Sequence, residues 1–163
     1  MDDVHEFCRR VRPRLCGTVV LLVGDPHVAE ELAQDALARV WAGWVKLAPL
    51  DEAARCAWAY RVAVNLANSW WRRRGAERRA LDRYRLVDGQ HAGPPDAADV
   101  ITIRSAIRAL PTRQRTAVVL RYYTDLPVDE VAALMGCAPG TVKALTSQAL
   151  HRLRSVVGEL EEA

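Results

Sequence analysis

Seven arginines crowd the stretch from Arg72 to Arg85, opposed only by Glu77 and Asp82. Guanidinium groups at that density suit phosphate, because each neutralised phosphate releases condensed counterions. They equally suit a solvated helix end, where cations offset the C-terminal dipole. Just before them, Trp58, Tyr60, Trp70 and Trp71 share one periodic segment with Arg61, Asn65, Asn68 and Arg72. Aromatic rings among basic and amide side chains can stack on unpaired bases. The competing reading is a core stripe of Trp58, Val62, Leu66 and Trp70, spaced by four, and it fits Trp70 best. A third set is acidic: Glu30, Glu31 and Asp35, with Gln34, form one polar side of a helix. Carboxylates facing DNA gain nothing, so this side suits a basic protein surface or plain solvent.

The elements that must carry these residues read as helices throughout. Val4, Phe7, Cys8, Val11 and Leu15 recur at helical spacing. Gly24-Asp25-Pro26 supplies a stop, a capping carboxylate and a proline for the next first turn. That second helix is expected to reach about Leu47, with Ala29, Leu32, Ala36, Leu37, Val40 and Trp44 inward. Asp51 caps a third helix expected to end near Arg74. The run GQHAGPP from Gly89 to Pro95 then reads as a linker. After it, Asp99 is a capping candidate for a stripe of Val100, Ile103, Ile107 and Leu110. A further helix is expected from Thr112 to Tyr123.

From Pro127 to Arg154 the spacing changes to two helices with a tight turn. Val128, Val131, Ala132 and Met135 mark a short first helix, and Gly136 can take the left-handed backbone of a sharp turn. Pro139 opens a longer second helix with Val142, Thr146, Ala149, Leu150 and Leu153 inward. This is the pattern of a helix-turn-helix whose second helix enters the major groove, although an ordinary helical hairpin shares it. The fold class is therefore all-α: two small helical domains joined by a flexible linker, the second containing a helix-turn-helix. We place the domains at 1–83 and 99–163, with the linker at 84–98.

Composition limits the rest. The chain of 163 residues is half hydrophobic, so it can bury a core, and its net charge of +3 is only mildly basic. Cys8, Cys16, Cys56 and Cys137 form no CxxC pair and no ligand pattern with the four histidines. Reduced thiols, no metal and no cofactor are expected. The start Met1-Asp2-Asp3 is unlike a signal peptide, and the apolar run Thr18–Val23 is too short to span a bilayer. A cytoplasmic protein without membrane insertion is expected. No GxSxG, P-loop, HExxH or paired-carboxylate motif is present, so no enzyme is expected.

Four segments together resemble the extracytoplasmic-function (ECF) subfamily of bacterial RNA polymerase sigma factors, over nearly the whole chain. Gly24-Asp25-Pro26 with Ala29-Glu30-Glu31-Leu32-Ala33-Gln34-Asp35 is similar to the family's polymerase-clamp segment. Trp58-Ala59-Tyr60-Arg61-Val62-Ala63-Val64-Asn65 is similar to its promoter-melting helix. Leu110-Pro111-Thr112-Arg113-Gln114-Arg115 with Leu120-Arg121-Tyr122-Tyr123 matches a third, and Gly140-Thr141-Val142-Lys143 with Ala149-Leu150-His151-Arg152-Leu153-Arg154 a fourth. The resemblance implies polymerase binding through Glu31, Gln34 and Asp35. It implies downstream-element contact through Trp58, Arg61, Asn65 and Arg72, with a base pocket at Lys46–Asp51. It implies upstream-element contact through Arg115, Arg121, Thr141, Lys143, Ala144, Ser147 and Gln148. The implied partners are core RNA polymerase, promoter DNA and an anti-sigma protein.

The chain departs from the family's pattern at Val64, Leu145 and Gln148, where arginine is usual, and at Pro127, Ala138 and Ala144, where serine is usual. A helix-turn-helix regulator without polymerase, or a helical interaction module that never touches DNA, are the other classes open on sequence.

Overall fold

The computed structural model describes residues 3–88 and 103–161; all regular structure among them is helical. Helix α1 spans Val4–Val23 and buries Phe7, Val11, Leu15, Thr18, Val19, Leu22 and Val23. It ends where Gly24 takes φ +82° and returns its N–H to the Val20 carbonyl, a left-handed cap that favours glycine. Asp25 then accepts hydrogen bonds from the His27 and Val28 amides, and Pro26 occupies the first turn of α2, Pro26–Ala42. Both features are as the sequence predicts. Ala29, Ala33 and Ala36 line the buried side of α2, where small side chains let α1 and α2 approach closely.

The second helix does not run unbroken to Leu47. It stops at Gly43, and one further turn, α3, covers Trp44–Leu47. Asp51 caps α4 through Ala54, and α4 runs from Glu52 to Asp88. This passes the expected end at Arg74. Residues 75–88 hold Glu, Arg, Ala and Leu but no proline, and Gly75 alone costs about 1 kcal/mol against alanine, too little to stop a helix. Of the linker expected at 84–98, residues 84–88 form the end of α4; residues 89–98, and the Asp99 cap with Val100, lie outside the described residues.

In the second half, α5 spans Ile103–Ala109 and α6 spans Thr112–Val118. Ile103, expected inside, is half exposed, whereas Leu110 is buried. The helix expected to continue to Tyr123 widens into a π-helical turn over Val119–Tyr123. There Thr124 donates its amide to Val119 and its hydroxyl to Leu120, and Asp125 sits at φ +57°. Helix α7, Val128–Met135, ends on Gly136 at φ +62°, and α8 runs Pro139–Glu161. Val131, Ala132, Leu134, Val142, Thr146, Ala149 and Leu153 form its interior, which is a helix-turn-helix core.

The two halves are packed on each other. One continuous core joins Leu15, Val19 and Leu22 of α1 to Tyr60 and Ala63 of α4, and to Ala106, Leu110, Val118 and Leu120. A smaller core of Phe7, Val11, Val40, Leu47 and Ala59 closes the other end of the first half.

Candidate polymerase and promoter surfaces

Three exposed faces carry most of the expected site residues. On α2, Glu31, Gln34 and Asp35 all point to solvent. Their neighbour Glu30 is engaged within the protein. Its carboxylate pairs with Arg12 and accepts from the Gln34 amide (3.2 Å) and the Cys16 thiol (3.3 Å). The hydrogen bond from Arg12 first, then those from Gln34 and Cys16, hold the Glu30 carboxyl below the usual carboxylate range. Glu31 and Asp35, one helical turn apart, have no ion-pair partner among the described residues. They are the carboxylates this face offers a partner.

On α4, Arg61, Asn65 and Arg72 are exposed, as the spacing predicts. The Arg72 guanidinium donates to Ser69 Oγ at 2.9 Å, which steadies it along the helix. Arg73, Arg74 and Arg79 are also exposed, and Arg74 lies over the Trp70 ring at 5.2 Å. Trp58 is half-buried against both cores, so only part of its ring faces outward. Val64, at the family's arginine position, is buried in the core. The chain has therefore removed one cation from this helix and gained packing. In the Lys46–Asp51 segment Leu50 is exposed, and Val45 just before it is 87% exposed.

On α8, Lys143, Ala144, Ser147 and Gln148 are exposed and Thr141 is half-exposed. Leu145 is half-buried. Gln148 is not free to swing: its Oε1 accepts a hydrogen bond from Gln114 Nε2 at 3.0 Å. Ala138, before α8, has no side-chain acceptor. Only its backbone carbonyl serves the new helix, accepting from Thr141 and Val142.

The two remaining expected upstream residues are placed differently. Arg115 is 6% exposed. Its guanidinium donates to the Leu22 carbonyl (2.6 Å) and the Leu110 carbonyl (3.0 Å), and stacks on Trp71 at 5.0 Å. Loss of solvent first, and the neighbouring Arg108 charge second, lower its pKa. In this packed arrangement Arg115 joins the halves and presents no charge to DNA. Arg121 is half-buried, donates to the Leu126 carbonyl and lies over Tyr122.

Sequence reasoning missed the other half of this junction. Arg14 donates to the Tyr123 carbonyl (2.8 and 3.1 Å) and to Asp125 (2.6 Å). Trp71 donates its indole N–H to the Leu22 carbonyl at 3.0 Å. These partners are 49 to 111 residues apart, so no local spacing could have revealed them.

Among the described residues no cluster of three or more His, Cys, Asp or Glu could hold a metal, and none of their helices is long and apolar enough to cross a membrane. The four cysteines are free and partly buried.

Comparison with known proteins assigns the chain to a family. The Sigma-70 region 2 model matches residues 7–77, and the Sigma-70 region 4 model matches residues 101–153. The RNA polymerase sigma-E factor of Streptomyces antibioticus is 37% identical over 160 residues, covering 93% of this chain and 84% of that protein. The chain belongs to the ECF sigma factors. The sigma-E factor of Streptomyces coelicolor is 34% identical, covering 94% of this chain and 87% of its own length. Among solved structures, a Bartonella quintana sigma factor in complex with the anti-sigma factor NepR is 26% identical. It superimposes with a TM-score of 0.71 over 92% of this chain and 93% of that one. This sigma factor is thus a promoter-recognition subunit of RNA polymerase in transcription initiation. Its α2 and α4 lie in region 2, and its helix-turn-helix lies in region 4.

Proposed function

We propose that the three exposed faces divide promoter initiation between them. Glu31 and Asp35, with Gln34 beside them, dock on a basic surface of core polymerase. Arg61, Asn65 and Arg72, with the exposed part of Trp58, hold the strand melted at the downstream element. The Lys46–Asp51 segment, with exposed Leu50 in it and Val45 before it, receives an extruded base. Unstacking a base costs a few kcal/mol, which stacking and edge hydrogen bonds offset. The α8 face of Thr141, Lys143, Ala144, Ser147 and Gln148 reads the upstream duplex, with Arg121 at its margin. Arg115 joins that surface only when the halves part.

The observation that supports this reading is selective exposure. Glu30 and Arg115 are engaged inside the protein, whereas Glu31, Asp35, Arg61, Asn65, Lys143 and Gln148 face solvent. Tethering the two DNA-reading halves raises the effective concentration of the second once the first is bound.

The test is DNA binding by the full chain with and without core polymerase. Tight promoter binding only in the presence of core is expected. Tight binding by the chain alone, unchanged by core, would instead identify a polymerase-independent helix-turn-helix regulator.

We also propose a protein partner that holds the packed state, supported by the Bartonella quintana neighbour solved with its anti-sigma factor. Co-purification from native cells should recover a second protein besides core polymerase. Recovery of core alone, in stressed and unstressed cells, overturns this.

A further inference from the structure

Gln114 lies in the first turn of α6, is 8% exposed, and donates its amide N–H to Gln148 Oε1 at 3.0 Å. The two residues line one cavity of about 360 Å³ with Ser147, His151 and Arg152, on the solvent face of α8. No polar atom of the described protein reaches the other end of the Gln114 amide, its Oε1. This glutamine is therefore nine-tenths buried with its single polar contact directed at an exposed α8 side chain. A buried amide with half its capacity unmet is costly, so its placement requires an explanation beyond packing.

We infer that Gln114 is a positioning residue that sets Gln148 to read adenine in the upstream element. The inference rests on the α8 reading given above. An exposed glutamine amide rotates between two orientations, because its terminal torsion is broad and two-fold. Bidentate recognition of adenine needs one of them: Oε1 accepting from N6–H and Nε2 donating to N7. Carbonyl Oε1 has two lone pairs. One is held by Gln114, which fixes where the oxygen lies and leaves the other lone pair and both Nε2 hydrogens for a base edge. Guanine presents two acceptors at that edge and cannot satisfy the same amide. An arginine at position 148 would favour guanine. The pair thus gives this chain an adenine reader where its family's pattern carries a cation.

The test uses the full chain bound to core polymerase, on promoter duplexes varied one base pair at a time through the upstream element. The parent should prefer adenine at one position by roughly fivefold to a hundredfold, the range of one bidentate contact. Gln148→Ala should abolish that preference. Gln114→Met keeps the volume but removes the donor. It should cut the preference several-fold while leaving the salt dependence and the preferences at other positions unchanged. Gln114→Glu can accept but not donate, so it should turn Gln148 around and lose adenine as well. If Gln148→Ala removes the preference but both Gln114 variants retain it, the positioning role is wrong and the α8 reading stands. If the Gln114 variants weaken every sequence equally, the residue only supports the fold and the inference fails. If Gln148→Ala changes no base preference, the α8 reading itself fails and carries this inference with it.

Discussion

Arg115 and Trp71 converge on one oxygen, the backbone carbonyl of Leu22. That carbonyl lies in the last turn of α1, where helix carbonyls lack intrahelical partners and the dipole is negative. A guanidinium from region 4 and an indole from region 2 satisfy it together, and the guanidinium stacks on the same indole. The junction therefore needs both halves.

Replacing Arg115 with alanine should loosen that junction. Hydrogen bonds from a charged donor contribute about 1.5–3 kcal/mol, offset in part by relief of its burial. Faster amide exchange at the α1–α5 contact and a larger radius of gyration are expected. An unchanged scattering profile would show that the apolar packing holds the halves by itself.

Charge reversal at Glu31 and Asp35 together should weaken core-polymerase binding by tenfold or more without changing thermal stability, since exposed substitutions usually stay within ~0.5 kcal/mol. Reversal at Glu30 should behave differently. It breaks the contact with Arg12 and places two cations side by side, so it should lower stability. Equal effects of the two changes on core binding would contradict the division of this face.

Asn65→Ala should reduce permanganate reactivity of the melted downstream strand more than it reduces polymerase binding. Parental footprints in the variant would remove Asn65 from the melting surface.

Much of this arrangement was legible in the sequence. Gly24, Asp25 and Pro26 announce their turn because each acts through its own backbone chemistry. Gly136 does the same for the helix-turn-helix, and period-three-and-four spacing grouped Arg61, Asn65 and Arg72 on one side of α4. The π-helical turn at Val119–Tyr123 was not legible, because its residues keep an ordinary helical pattern and the widening depends on Thr124 and Asp125 beyond them. The placement of Arg115 was not legible for a different reason. Sequence shows a cation, and only the fold shows that an orphan carbonyl 93 residues away accepts it. Gln114 was hidden likewise, since its partner lies across the helix-turn-helix.

Tyr60 gives a test of the core by pH. Burial pushes its phenol up to about 12. Because the folded state keeps this proton while the unfolded state loses it near 10, stability from Tyr60 is present below pH 10 and falls as pH rises through 12. Of the four tyrosines, one should ionise late by ultraviolet absorbance, and Tyr60→Phe should delete that step. A normal titration of all four would contradict its burial.

Gln148→Arg should steepen the salt dependence of upstream binding by up to about one unit, because an added cation in the groove releases counterions even when it meets a base edge. Leu145→Arg should do less, because Leu145 is half-buried whereas Gln148 is exposed. A larger effect at Leu145 would mean that α8 meets DNA with a different face.

The activity proposed for this chain is to start transcription by joining core polymerase to a two-element promoter. Run-off transcription measures that directly, with purified full-length chain, bacterial core polymerase and a promoter library. Transcripts that require the chain, core and both elements are expected, and they should fall when Glu31 and Asp35 are reversed or Asn65 is truncated. Transcripts indifferent to the chain, or none from any library member while the chain still binds core, would contradict it.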